Sequence, residues 1–140
     1  MAKKIVVDSS VLVKWISSQK EKHLAQADKI LEEAQKNKVE IYTSELAKFE
    51  VGNALLKSKA LELPQAYTSL ATIYKLPITF VPETEELARA TYRISKRHGL
   101  TYYDGSFLAI AENYKATLIT DNPKHQQKAK EIKVKSLGSY

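Results

Sequence analysis

Four of the 16 acidic residues stand apart from the rest. Asp8 follows directly on Ile5-Val6-Val7, and Asp121 on Leu118-Ile119-Thr120, two short apolar runs that read as buried strands. On a helix, Glu50 has Leu46 and Ala47 one turn before it and Asn53 and Ala54 one turn after, so its face is apolar or amide, not cationic. Asp104 opens a helix and stands beside the apolar stretch Phe107-Leu108-Ala109-Ile110. A carboxylate at the edge of a core loses hydration and must be paired, protonated or bound to a metal. Sequence-local cations are absent around Glu50 and scarce around the other three. If the four converge, each pair at ~4 Å repels by roughly 4 kcal/mol at an effective dielectric near 20. One or two divalent cations relieve that repulsion better than protonation does. With oxygen ligands only, and no His or Cys in the set, the expected ions are Mg²⁺ or Mn²⁺, not zinc.

Each acid also has a plain structural reading. Asp104 and Asp8 can each cap a helix, and Asp121 can be a turn residue before Pro123. Glu50 is the hardest to explain this way, and Asn53, one turn on, is placed to hydrogen-bond to it. His23, His98 and His125 lie outside these groups and read as surface residues.

The elements that must position the acids follow from pattern. A strand around residues 5–7 leads into a short helix carrying Val11, Leu12 and Trp15, with Ser9 or Ser10 as its cap. Helical spacing covers 20–36, a strand 39–43, and a second helix 44–61, after which Pro64 opens another. A strand at 78–81 is followed by a helix with Glu83, Glu85 and Glu86 at its start and Arg89, Arg93 and Lys96 later, ending at Gly99. Helix 103–114, strand 117–120, a short basic helix from Pro123 and a last strand at 132–134 complete the chain. This alternation predicts one α/β domain over 1–140, a mainly parallel sheet with helices on both faces. Ligands in such sheets gather at the carboxyl ends of the strands, where Asp8 and Asp121 stand.

Composition narrows the function classes. The 140 residues carry 22 Lys and Arg against 16 acids, a net +6 that favours polyanionic partners, nucleic acid before membrane. The absence of cysteine excludes disulfides, zinc–thiolate sites and cysteine nucleophiles, and allows a cytoplasmic location. No apolar run approaches the ~18 residues of a membrane helix, and the opening MAKKIVVDSSVLVKW reads as a first strand, not a secretion signal.

Four segments, in this order, resemble a PIN domain, and most closely a VapC-type toxin ribonuclease of a toxin–antitoxin pair. They are Val6-Val7-Asp8-Ser9-Ser10-Val11-Leu12-Val13-Lys14-Trp15, Glu50-Val51-Gly52-Asn53-Ala54-Leu55, Tyr102-Tyr103-Asp104-Gly105-Ser106-Phe107-Leu108-Ala109-Ile110-Ala111 and Leu118-Ile119-Thr120-Asp121-Asn122. The resemblance runs from Ile5 to about Val134 and implies a three-layer α/β/α fold and a metal-dependent endoribonuclease. It assigns the catalytic and metal-binding roles to Asp8, Glu50, Asp104 and Asp121. Many relatives carry the fourth acid two residues after the Thr, where this chain has Asn122, so Asp121 and Asn122 both stand as the residue that reaches the metal. Ser10 matches a small hydroxyl or amide that supports the site, and Thr120 stands beside the fourth acid. The resemblance further implies a homodimer and a VapB-like antitoxin that covers the acidic pocket. Carboxylate-held Mg²⁺ or Mn²⁺ would activate a water for in-line attack on an RNA phosphodiester, with no side-chain nucleophile.

For the grip on RNA, Arg89, Arg93 and Arg97 form one stripe at i, i+4, i+8 that suits phosphates. Glu85 and Glu86 offer the same arginines ordinary intrahelical partners. Lys14 lies in the first matching segment, and Trp15 and Tyr102 are candidates to stack on splayed bases, with core packing or a dimer interface as the other reading. Three rival functions remain at this level. A haloacid-dehalogenase-like phosphatase wants a second Asp two residues after the first, where this chain has Ser10. A structure-specific DNA nuclease of related fold needs extra acids and an insertion for which 140 residues leave no room. A non-catalytic PIN-like module that binds RNA or protein is the third, and metal-dependent cleavage separates it from the enzyme.

Overall fold

The computed structural model describes residues 1–16, 22–58 and 61–140. Five strands form one sheet: β1 (Lys3–Val7), β2 (Val39–Ser44), β3 (Ile78–Val81), β4 (Thr117–Thr120) and β5 (Val134–Ser136). Their spatial order is β3-β2-β1-β4-β5, and all neighbours are parallel. Burial on both faces explains the unbroken apolar run of β1, where a two-sided sheet leaves no polar side to alternate with. Ile5 and Val7 point to one layer, where α2 (Leu24–Gln35) brings Ala27 and Ile30. Val6 points to the other, with Leu118 of β4 and residues of α3 (Leu46–Lys57), α5 (Glu85–His98) and α6 (Tyr102–Tyr114). The expected three-layer α/β/α class is the one observed.

α1 (Ser9–Ile16) joins the two layers, since Val11 enters one cluster and Leu12 and Ile16 the other. Trp15 belongs to this joint. Its indole N–H donates to the Ala27 carbonyl of α2 at 2.8 Å, and its ring packs on both clusters. The base-stacking role considered for Trp15 gives way to structural packing. α6 is buried continuously from Gly105 to Ala111, so it is a central helix and not one with a single apolar stripe. α4 (Leu63–Ile73) is the opposite case and buries only Ile73 fully. Its start is held by reciprocal hydrogen bonds between Glu62 and Gln65, with Pro64 in the first turn.

Four boundaries differ from expectation. The helix expected from Pro123 is a single 3-10 turn, Gln126–Lys128, because Gln126 turns inward and the backbone leaves helical angles at Ala129. The last strand begins at Val134, two residues late, since Ile132 donates back to the Ala129 carbonyl in a turn. The helix expected from residue 20 begins at Leu24, positions 20 and 21 lying outside the described residues. The helix expected over 44–61 runs Leu46–Lys57, because Ser44 ends β2 and the backbone turns extended at Ser58, with 59–60 outside the described residues. Among the described residues no helix is long and apolar enough to cross a membrane.

Candidate active site

The sheet order changes direction at β1, which lies between β2 and β4. Val7 pairs with Ile119, so the next residues, Asp8 and Thr120, leave adjacent strands side by side at their carboxyl ends. This is the crevice that an open parallel sheet offers to a ligand.

Asp8 is buried and held on both oxygens. Its Oδ1 accepts from the Ser10 hydroxyl at 2.5 Å and from the Ser10 N–H at 3.1 Å, and its Oδ2 accepts from the Thr120 hydroxyl at 2.6 Å. The bond to the Ser10 N–H caps α1, so the cap of that helix is Asp8 and not the expected Ser9 or Ser10. Burial raises the proton affinity of Asp8 above the ordinary carboxylate range, against the opposing hydrogen bonds from Ser10, Thr120 and Val11. Ser10 and Thr120 thus hold the Asp8 carboxylate, and Thr120 also accepts the Asn122 N–H at 3.1 Å.

Glu50, on α3, is partly buried, and its Oε1 is withdrawn from water without a hydrogen-bond partner. Burial is the main cause that raises its proton affinity, the Ser9 hydroxyl opposes it, and the negative charges of Asp8 and Asp104 add to it. The charges of Asp8 and Asp104 thus both reach Glu50. Asn53, expected to steady Glu50, is exposed and leaves Oε1 unsatisfied. Three residues on from Glu50, Asn53 has turned off the shared face toward solvent.

Asp104 stands in the first turn of α6. The cap of that helix is Thr101, whose hydroxyl accepts the Asp104 N–H at 3.0 Å, so the capping role considered for Asp104 passes to Thr101. That leaves the Asp104 carboxylate free of capping duty at the positive end of a helix dipole. Gly105 brings α6 hard against α5, because a Cβ there would lie 1.9 Å from Ser95 Oγ and 3.1 Å from the Thr91 carbonyl oxygen.

Asp121 faces other partners. Its Oδ2 lies 3.1 Å from Lys14 Nζ and its Oδ1 2.8 Å from His23 Nδ1. Lys14, with a side chain only 1% exposed, is held inside the protein, which overturns its assignment as an RNA contact. His23 is exposed, as its sequence context predicts, and its contact with Asp121 carries no local signal in the sequence. The arginine stripe is engaged as well: Arg89 pairs with Glu85, Arg93 with Glu112 and Arg97 with Glu131. Tyr102 donates its hydroxyl to Glu83 at 2.7 Å and is 39% exposed, two residues before Asp104.

Among the described residues, no three acidic or histidine side chains are gathered at metal-ligand distances. The donor set nonetheless fits a hard divalent cation. Asp8, Glu50 and Asp104 offer only oxygens, two of the three are pushed toward protonation, and one buried oxygen of Glu50 has no partner.

Residues 5–131 match the PIN domain family. The chain belongs to that family. It is also similar to Ribonuclease VapC3 of Pyrobaculum aerophilum, 28% identical over 121 residues that cover 84% of this chain and 88% of that one. Among solved structures, VapBC2 from Rickettsia felis, bound to a DNA fragment from its promoter, matches with a TM-score of 0.73 and 19% identity, over 95% of this chain and 98% of that one. PAE2754 from Pyrobaculum aerophilum matches with a TM-score of 0.67 and 23% identity, over 99% and 94%. These two likenesses establish the shared PIN fold around the acidic crevice.

Proposed function

We propose that this PIN-domain chain is a Mg²⁺- or Mn²⁺-dependent endoribonuclease, the cytoplasmic toxin of a VapBC-type pair, held inactive by a VapB-like antitoxin. The observation that carries the reading is the orphaned Glu50 oxygen beside Asp8 and Asp104 at the carboxyl end of the sheet. Likeness to Ribonuclease VapC3 supports the substrate class. Asp8, Glu50 and Asp104 would hold the ion, which when bound supplies positive charge at the scissile phosphate and lowers the pKa of the attacking water. The Ser10 and Thr120 hydroxyls fix both oxygens of Asp8 and so set its direction before any ligand arrives. Tyr102, two residues before Asp104 in the chain, offers a partly exposed ring to an unstacked base.

The test is cleavage of end-labelled single-stranded RNA by the purified chain in Mn²⁺, beside EDTA and Asp104→Asn controls. Cutting that needs the metal and disappears in the variant is expected. Cutting that persists in Asp104→Asn, or RNA binding without any cutting in Mn²⁺, would overturn the reading.

The homodimer is the second part of the proposal, and the α3–α4 face supports it. Leu56, Leu63, Tyr67 and Leu70 line a groove of about 290 Å³ there. Phe49 and Tyr74 continue the same helix stripes, and these large side chains are from 36% to 84% exposed. Together they form an exposed apolar and aromatic face of the residue types that protein interfaces favour. A second copy of the chain is the occupant proposed. Light scattering should show a dimer at micromolar concentration that Tyr67→Glu splits into monomers. A monomeric wild type, or a Tyr67→Glu chain that stays dimeric, contradicts it.

A further inference from the structure

The residue after β4 poses a question of ligation that its contacts answer. Asp121 is gripped at three points. Its main-chain N–H donates to the Ser10 hydroxyl at 3.0 Å, its Oδ2 lies 3.1 Å from Lys14 Nζ, and its Oδ1 lies 2.8 Å from His23 Nδ1. Ser10 and Lys14 are one turn apart on α1, so backbone and side chain of Asp121 are bound by the same helix face. His23 closes the cluster from the residue before α2. Both carboxylate oxygens are thus spent on cationic or imidazole nitrogen partners. The Lys14 side chain is 1% exposed, and an ammonium so far from water is costly to separate from a carboxylate. Meanwhile the charges that act on Glu50 are those of Asp8 and Asp104.

We propose that Asp121 is not a metal ligand but the anchor of Lys14 and His23, and that Lys14 serves as an internal cation that limits the site to Asp8, Glu50, Asp104 and a single divalent ion. The inference rests on the metal reading given above. It makes Asp121 a positioning residue that fastens the end of β4, and with it Thr120, onto α1 and the start of α2. A second carboxylate-bound ion would need Asp121 to swing away from a buried ammonium. A lone ion leaves the existing pairs intact.

The test is a titration of the full-length chain with Mn²⁺ alone, followed by the electron paramagnetic resonance of the free ion, with metal-free melting curves for each variant. Wild type is expected to take up one Mn²⁺ per chain. Asp104→Asn should weaken uptake by about tenfold or more, as loss of a direct ligand does, without lowering the melting temperature. Asp121→Asn should stay within about threefold of wild-type affinity, and still bind one ion, while melting lower. Lys14→Met combined with Asp121→Asn should recover part of that loss, because the buried ammonium that Asp121 meets is removed with it, and it carries the measurement if the single variant does not fold. An affinity loss in the folded Asp121 variants equal to that of Asp104→Asn would overturn the inference, as would two ions bound by wild type. A wild type that binds no Mn²⁺ at all overturns the metal reading and this inference with it.

Discussion

Replacing Glu50 by Gln should raise the melting temperature of the metal-free chain at neutral pH while slowing RNA cleavage by about 10²-fold or more. The wild-type carboxylate is strained in three ways. It is partly buried, it faces the charges of Asp8 and Asp104, and its Oε1 has no hydrogen-bond partner. Its proton affinity in the folded chain is therefore raised above the ordinary value of 4.5. The sign of the pH effect follows by linkage. Between 4.5 and the folded value the native state binds more protons than the unfolded state, so the stability this group contributes is full below 4.5 and is lost as pH rises through the folded pKa. Asp8, raised by burial, acts in the same direction.

A neutral amide at position 50 keeps the shape and removes the charge. The gain should be about 1 kcal/mol, or roughly 3 °C for a chain of this size. Melting curves from about pH 4.5 to pH 8 check it: the gap between variant and wild type should open as pH rises. Added Mn²⁺ should close the gap by stabilising the wild type alone. A gap that is flat with pH, or a variant that melts lower throughout, would show that Glu50 carries no such strain.

Thr120→Val is expected to do the reverse and lose both stability and activity. Thr120 is fully buried, and its single hydroxyl works twice, donating to Asp8 Oδ2 at 2.6 Å and accepting the Asn122 N–H at 3.1 Å. Valine matches the shape but leaves a buried carboxylate oxygen short of a donor and a main-chain amide short of an acceptor. Each such loss costs about 1–3 kcal/mol, and a fall of roughly 7 °C in melting temperature is expected. Activity should drop about 10- to 100-fold, the usual effect of removing a group that orients a ligand. Thr120→Ser keeps the hydroxyl and should retain most of both. If Val behaves like Ser in melting and cleavage assays, the hydroxyl bridge between the two strand ends has no such role.

What could be read along the chain, and what could not, divides by distance. Asp8 was legible because three β-branched or apolar residues precede it, and a strand that ends in a carboxylate places that group at a sheet edge. Glu50 was legible from its neighbours one turn away, none of them cationic. Asn53 was misjudged by the same rule: helical spacing places two residues near each other, but only packing decides which of them turns to water. The turn at Gln126–Lys128 has helix-forming residues, yet an inward Gln126 and the change of direction at Ala129 stop it after three.

Sequence alone determined the order of strands and helices and the buried β1 run, and it singled out Asp8, Glu50, Asp104 and Asp121, because these readings depend on periodicity and on neighbours within a turn or two. Tertiary structure alone decided what Asp121 does. Its partner His23 lies 98 positions away, and Lys14 reads as a candidate RNA contact until α1 folds it inside. A charge enclosed in a protein must find its opposite wherever the fold supplies one, and no spacing rule along the chain records where that will be.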